Sequence, residues 1–250
     1  SDSVAKSVKE FVPAVLEEDS VRFSAIVSYP LQRPYPLENI ETPEKMKSYY
    51  PLIVDDSLRN IVKNAGPEKW KKEGWKGWSL DTGKYVWIDE TVYDIPYLSA
   101  NEKKERNRLI KEEMESIYPS MREGWTPEAC MIQPEDSTVY RIDRSLKSDR
   151  NGEKEYRLAI YPHTVPLDSI PEATLTGNRI EEGTEMNIVY TFISPGMTVY
   201  YFPENDEMSA DEGIVSITEK GNPEVTRPVK KTYWRKLDRR KMGNHKRNMR

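Results

Sequence analysis

Short runs rich in β-branched and aromatic residues fill the second half of this 250-residue chain, and turn sequences separate them. The runs cover residues 130–133, 139–143, 155–161, 173–176, 188–193, 197–202 and 213–218. The turn Ser194-Pro195-Gly196 lies between two of the most aromatic runs and is typical of a hairpin. Short strands at such regular intervals predict a small antiparallel β-barrel or sandwich.

The first part of the chain has the apolar spacing of helices. Apolar residues from Val4 to Leu16 recur on one face of a 3.6-residue period, and Pro13 predicts a kink or an early break there. Further helix starts are predicted from the capping residues Asp19, Thr42, Asp55 or Asp56, and the pair Ser99 and Glu102. Three prolines at positions 30, 34 and 36 predict an extended segment between two of these helices.

A short sheet is predicted before the last of these helices. Residues 74–80 are predicted to form a strand, and residues 85–88 and 91–95 to form two more. The sequence Asp81-Thr82-Gly83-Lys84 predicts the turn between the first two strands, with glycine supplying a positive φ.

These patterns predict an α+β protein in two unlike halves. Residues 1–122 are predicted to form a helix-wrapped, cone-like domain around a curved antiparallel sheet, and residues 123–237 an antiparallel β domain. Residues 238–250 are predicted to be a basic, disordered tail because no apolar period accompanies their charges.

Catalytic motifs are absent from the sequence. It contains no glycine-rich phosphate loop, no His-Glu-x-x-His helix and no Gly-x-Ser-x-Gly elbow. His163 lies in a loop, His245 in the tail, and Cys130, the single cysteine, borders a predicted strand. We therefore predict no catalytic residue, no metal site and no cofactor.

Aromatic residues give the prediction of a binding site. The chain has 15 Tyr and 6 Trp, which keep one polar end and suit ligand pockets as well as half-buried sheets. The predicted pocket of the first domain is lined by Tyr29, Tyr35, Trp75, Trp78, Tyr93 and Asp94. Trp75 and Trp78 are three residues apart, so in a regular strand they would point to opposite faces.

Asp94 offers an alternative. A charge between Tyr93 and Ile95 within a strand would be an acid or base if it faced an apolar pocket. If the strand alternates regularly, Asp94 instead faces solvent while Tyr93 and Ile95 face inward.

Several partner classes receive little support. The net charge of −4 does not favour a nucleic-acid partner, and only the basic tail could supply phosphate contacts. No run of 18 or more apolar residues predicts a transmembrane segment.

Several short motifs carry a family resemblance. They are Ser28-Tyr29-Pro30-Leu31, Pro34-Tyr35-Pro36-Leu37, Val54-Asp55-Asp56-Ser57-Leu58, Gly74-Trp75-Lys76-Gly77-Trp78, Tyr140-Arg141-Ile142-Asp143 and Tyr156-Arg157-Leu158-Ala159. Over residues 5–203 the chain resembles a family of uncharacterised bacterial envelope or secreted proteins. The resemblance implies a nuclear transport factor 2-like cone in the first half and a small β-barrel-like module in the second, and it implies no reaction.

Two functions follow as hypotheses. The first is a non-enzymatic, extracytoplasmic binding or interaction protein, in the periplasm or at the cell surface, with a small molecule, a glycan or a protein as its partner. The second is an isomerase- or hydrolase-like enzyme that uses Asp94 and Tyr93. A cytoplasmic location stays open.

Overall fold

The protein is α+β and consists of two compact units. A computed structural model describes residues 2–182, 187–203, 209 and 211–237. The units are Ser1–Arg108 and Leu109–Arg250, so their division lies N-terminal to the boundary predicted after residue 122. The predicted basic tail, residues 238–250 with His245, lies outside the described residues.

Four helices begin the first unit: α1 (Asp2–Leu16), α2 (Ser20–Ile26), α3 (Pro43–Ile53) and α4 (Asp56–Lys63). Three of them begin at predicted caps. Side-chain oxygens of Asp19, Thr42 and Asp55 accept hydrogen bonds from main-chain N–H groups three residues further on. These bonds satisfy donors that the first helical turn leaves free.

Helix α1 differs from its prediction at Pro13. The helix continues through Pro13 to Leu16, so the predicted early break is wrong. Phe11, Ala14 and Val15 are all buried in the core around this position. Their packing outweighs the hydrogen bond that proline removes, because apolar burial contributes about 1.5–3 kcal/mol for each large side chain.

A four-stranded antiparallel sheet follows in the order β1 (Trp70–Lys72), β2 (Trp78–Leu80), β3 (Val86–Ile88) and β4 (Val92–Asp94). The single strand predicted over residues 74–80 is divided by a 3-10 turn at Gly74–Lys76. Gly74 and Gly77 have φ values of +58° and +78°, which a regular strand excludes. The glycines therefore end β1 and begin β2.

One face of this sheet is filled by the core. Leu80, Val86, Ile88 and Val92 are buried in one cluster with apolar side chains of α1 to α4. Alternation along β3 turns Trp87 away from that cluster, between the buried Val86 and Ile88. Trp87 therefore lies on the opposite face of β3 from this cluster.

Helix α5 (Ala100–Ser116) begins with the predicted capping box. The Glu102 N–H donates to Ser99 Oγ at 3.0 Å, and Glu102 Oε2 accepts from the Ser99 N–H at 3.3 Å. Glu102 also accepts two hydrogen bonds from Arg33, at 2.9 and 2.8 Å, and both side chains are almost fully buried. The same guanidinium donates to the carbonyls of Ile95 and Tyr97, so Arg33 joins α5 to the segment that follows β4.

The second unit is a closed antiparallel barrel of eight strands in sequential order. The strands are β5 (Trp125–Ile132), β6 (Val139–Ser148), β7 (Lys154–Tyr161), β8 (Ala173–Glu182), β9 (Asn187–Ser194), β10 (Met197–Phe202), β11 (Glu212–Glu219) and β12 (Val225–Lys231). An antiparallel barrel or sandwich was predicted for this half, and the structure contains the barrel. The predicted hairpin at Ser194 joins β9 to β10.

Strand β12 was not predicted from the sequence. This strand contains Pro228 and ends in Lys230 and Lys231, which have low strand propensity. It pairs with β11 on one side and with β5 on the other, and so closes the barrel. Strand closure supplies hydrogen-bond partners that override local propensity.

A buried charge cluster lies on strands β6 and β7, outside the apolar barrel interior. Arg141 pairs with Glu113 of α5 and, at 2.7 Å, with Asp143, which also pairs with Arg157 at 2.6 Å. The Trp234 ring lies 4.9 Å from the Arg141 guanidinium carbon, a cation–π distance. Each buried arginine is therefore matched by a carboxylate and shielded from water.

Glu102→Gln is expected to destabilise the protein by about 3–5 kcal/mol, because it removes the carboxylate that pairs directly with the buried Arg33. Urea unfolding followed by circular dichroism measures the change. The matched control is Glu105→Gln on the same helix, since Glu105 pairs with Arg108 at the surface and that pair contributes about 0–1 kcal/mol. Equal losses in the two variants would contradict the prediction.

Candidate functional site

Two of the six predicted pocket residues are engaged with other parts of the first unit. The Tyr29 hydroxyl donates to the carbonyl of Ser24 at 2.8 Å, and its ring packs against the core. Burial, with a contribution from Glu44, raises the pKa of Tyr29 to about 12. The carbonyl of Tyr35 accepts from Arg106 Nε at 2.8 Å. The side chain of Tyr29 and the main chain of Tyr35 are therefore both bonded to other parts of the first unit.

Trp78 and Asp94 are both partly buried. Trp78 Nε1 is a buried donor that has no hydrogen-bond partner in the part of the chain the structure describes. Burial raises the pKa of Asp94, and Arg33 opposes that rise. The Tyr93 hydroxyl donates to the main-chain carbonyl of Lys76 at 2.9 Å, and not to Asp94. The Tyr93 hydroxyl and Asp94, the two groups named in the enzyme hypothesis, are therefore not hydrogen-bonded to each other.

Trp75 and Tyr93 come together around Lys76. Trp75 lies in the turn between β1 and β2 and is 75% exposed, and Tyr93 on β4 is 40% exposed. Lys76 Nζ lies 5.7 Å from the Trp75 ring centroid and 5.9 Å from that of Trp87. We call Trp75, Trp87 and Tyr93, with Lys76 between them, the ring surface.

Trp87 was not among the predicted site residues. Gly83, in the turn before β3, leaves room for its ring, because a Cβ at Gly83 would lie 2.2 Å from Trp87 Cζ2. The signal in the sequence was the alternation Val86-Trp87-Ile88, in which the tryptophan occupies the position that faces away from two aliphatic residues. The ring surface thus contains two exposed rings, those of Trp75 and Tyr93, whereas an apolar cleft inside the cone was predicted.

Carboxylates lie beside the ring surface. Burial raises the pKa of Tyr93, and the negative charges of Asp94, Asp89 and Glu73 add to that rise. Glu73 accepts a hydrogen bond from Ser79 at 2.7 Å, which fixes one of these carboxylates. The surface therefore combines exposed aromatic faces with hydrogen-bond acceptors and one ammonium group.

A separate surface pocket of about 410 Å³ lies beside α3 and α4 of the same unit. It is lined by Glu18, Ser20, Lys47, Tyr50, Pro51, Val54, Asp55, Asp56, Arg59 and Asn101. Arg59 pairs with Asp56 at 2.6 Å, and Asp55 accepts from the Tyr97 hydroxyl at 2.7 Å while capping α4. Burial raises the Asp55 pKa, but these bonds outweigh it and the net pKa is lowered. These pairings account for three of the charged lining residues, Arg59, Asp56 and Asp55, by local structure.

Within residues 2–182, 187–203, 209 and 211–237, no group of three or more His, Cys, Asp or Glu side chains could hold a metal ion. Across that same part of the chain, no helix has the length and apolar character needed to cross a membrane. His163 is exposed, and Cys130 is buried.

Gly77→Ala is expected to destabilise the first unit more than Gly74→Ala, by at least about 1 kcal/mol. Both glycines have positive φ, and Gly77 also has a ψ of −136°, outside the left-handed helical region that other residues sometimes adopt. Only at Gly77 would the added Cβ also meet backbone, 2.4 Å from the Ile88 carbonyl oxygen, since nothing lies within 4 Å at Gly74. Urea unfolding of both variants measures the difference, and similar losses would show that the turn adjusts freely.

Comparison with known proteins gives no relative for this chain. No protein-family model, no curated protein and no solved structure matches it.

Proposed function

We propose that this is a non-enzymatic binding protein and that the ring surface of its first unit binds a glycan. The observation that supports this proposal is the group of three aromatic side chains around Lys76, with Trp75 75% exposed. A tryptophan usually contributes most of its large area to a core or an interface. Contiguous exposed apolar side chains mark interaction sites in proteins of ordinary solubility.

The chemistry of the ring surface favours a sugar. One face of a pyranose ring presents C–H groups that pack on an aromatic face, and its rim presents hydroxyl groups. Trp75, Trp87 and Tyr93 offer the aromatic faces, and Asp89 and Glu73 lie close enough to influence Tyr93 electrostatically. Carboxylates accept hydrogen bonds from hydroxyl groups without needing a charged ligand. The Lys76 ammonium group adds a donor for the ring oxygen or the hydroxyl oxygens of the sugar.

The positioning of these groups also supports the proposal. The Tyr93 hydroxyl holds the carbonyl of Lys76, and Gly77 allows the turn to approach the end of β3 closely. The turn that carries Trp75 and the ring of Tyr93 are therefore held to each other, and a surface held in this way loses less conformational entropy when it binds a ligand. Preorganisation of this kind distinguishes a binding surface from a flexible exposed loop.

Fold family and location are part of the same proposal. We propose that the first unit is a nuclear transport factor 2-like cone and that the protein acts outside the cytoplasm. The shared core of α1 to α4 with the four-stranded sheet supports the first point, and the family resemblance supports the second. Fractionation of cells that express the full-length protein tests the location, and recovery in the cytosol would contradict it.

The ring surface is tested by affinity electrophoresis in gels that contain mannan, xylan or hydroxyethylcellulose. We expect at least one polysaccharide to retard the protein. Trp75→Ala should weaken that binding about tenfold, because a stacked aromatic contact contributes about 0.5–1.5 kcal/mol beyond the area it buries. Tyr93→Ala should weaken it by about threefold for the same reason.

The matched control is Tyr200→Ala, which removes an aromatic ring of similar exposure from the barrel unit. It should leave retardation unchanged. Retardation that survives Trp75→Ala, or the absence of retardation by all three polysaccharides, would contradict the glycan proposal. Binding of the wild-type protein to vesicles of anionic lipid, lost in Trp75→Ala, would assign the ring surface to membranes instead.

A further inference from the structure

The seam between β12 and β5 is the shortest pairing in the barrel. Strands β11 and β12 pair from Glu212 with Lys230 to Ile217 with Val225, whereas β12 pairs with β5 only through Lys230 and Lys231. The earlier part of β12 therefore has no ladder partner on its β5 side among the described strands. Arg227 reaches across this opening and donates to Glu135 at 2.9 Å.

A cavity of about 430 Å³ lies at this opening. It is lined by Gln133, Asp136, Tyr140, Ile217, Glu219, Asn222, Pro223, Val225 and Arg227. We call it the seam pocket. Its volume falls within the range of about 300–1,000 Å³ that is typical of small-molecule sites, and barrel mouths are a preferred place for them.

The floor of the seam pocket contains a buried amide. Gln133 is 3% exposed, and its Oε1 accepts from the Tyr140 hydroxyl at 3.1 Å. The buried side-chain atoms that lack a hydrogen-bond partner in the described residues do not include the Gln133 amide nitrogen. As the side-chain amide of a lining residue, this group supplies a donor for a ligand that carries a hydrogen-bond acceptor.

The rim of the seam pocket is acidic. Asp136 and Glu219 are exposed at the rim, and neither has a cation partner in the described parts of the chain. Arg227, the only cationic lining residue, is already matched by Glu135. Burial raises the pKa of Tyr140 to about 12, with Asp136 adding to the rise and Arg227 opposing it.

The remaining wall is apolar. Ile217 packs against the barrel core, and Pro223 and Val225 extend the same side toward the rim. A ligand that fills the pocket would therefore need an apolar body between its two polar ends.

We propose that the seam pocket binds a small amphipathic amine, with its ammonium group at Asp136 and Glu219, its apolar body against Ile217 and Val225, and a hydrogen-bond acceptor at the Gln133 amide. The site is independent of the ring surface because it lies wholly in the second unit. Tyramine has all three features and is the probe, with 4-ethylphenol lacking the ammonium group and phenethylamine lacking the hydroxyl.

Isothermal titration of the full chain compares the three compounds at fixed salt. Tyramine should bind more tightly than 4-ethylphenol by about tenfold, since both rim carboxylates attract the ammonium group, and more tightly than phenethylamine by about threefold. Binding of 4-ethylphenol as tight as that of tyramine, or no binding of tyramine, would overturn the proposal.

Variants assign the binding to the seam pocket. Asp136→Asn and Glu219→Gln should each weaken tyramine binding about threefold, and 4-ethylphenol binding should not change. Glu153→Gln removes the same charge from the exposed β6–β7 turn and should have no effect. Gln133→Leu, checked for folding by circular dichroism, should abolish the preference for tyramine over phenethylamine.

A final comparison separates this site from the ring surface. Trp75→Ala should leave tyramine binding unchanged whether or not the protein binds polysaccharide. Tyramine binding that Trp75→Ala weakens and Glu219→Gln does not would move the amine to the ring surface and overturn the proposal.

Discussion

A buried guanidinium requires a carboxylate partner, and this constraint governs the packing of both units. Arg33 in the first unit is matched by Glu102, and Arg141 in the second is matched by Glu113 and Asp143. Glu102 and Glu113 both belong to α5. A charge left without its partner in a low-dielectric interior costs several kcal/mol, so within its own unit each of these carboxylates is held to its arginine.

Fully packed interiors limit where ligand chemistry can occur. The first unit fills one face of its sheet with aliphatic side chains, which leaves Trp87 and Tyr93 on the other side. The barrel interior holds its own cluster of aromatic and aliphatic residues, among them Phe192 and Tyr201. Both proposed sites therefore lie at edges of the packing, one on an outer sheet face and one at a barrel seam.

Local signals allowed much of the fold to be predicted from the sequence. Capping depends on short-range hydrogen bonds, so Asp19, Thr42 and the Ser99–Glu102 pair identified their helices correctly. Alternation and turn residues likewise identified most of the barrel strands. At Pro13 the sequence left a kink and an early break open, and the helix continues to Leu16 through tertiary packing that spacing alone does not contain.

The candidate sites were harder to predict, since each depends on residues distant in sequence. Trp75 and Tyr93 were selected for their ring character, but their grouping with Trp87 around Lys76 requires the register of β3 and β4. The seam pocket joins Gln133 to Arg227 through strand pairing at the closure of the barrel. No spacing rule connects positions so far apart.

The seam pocket lies beside β12, the strand that was not predicted from the sequence. Pro228 and the two lysines at its end have low strand propensity, so no local pattern marks this strand. Strand β5 ends at Ile132, which pairs with Lys230, and Gln133 already begins the turn to β6. The earlier part of β12 therefore has no β5 residue to pair with among the described strands, and the seam pocket lies beside this stretch. The end of a strand at the closing seam of a barrel is a physical reason to look for a ligand site there.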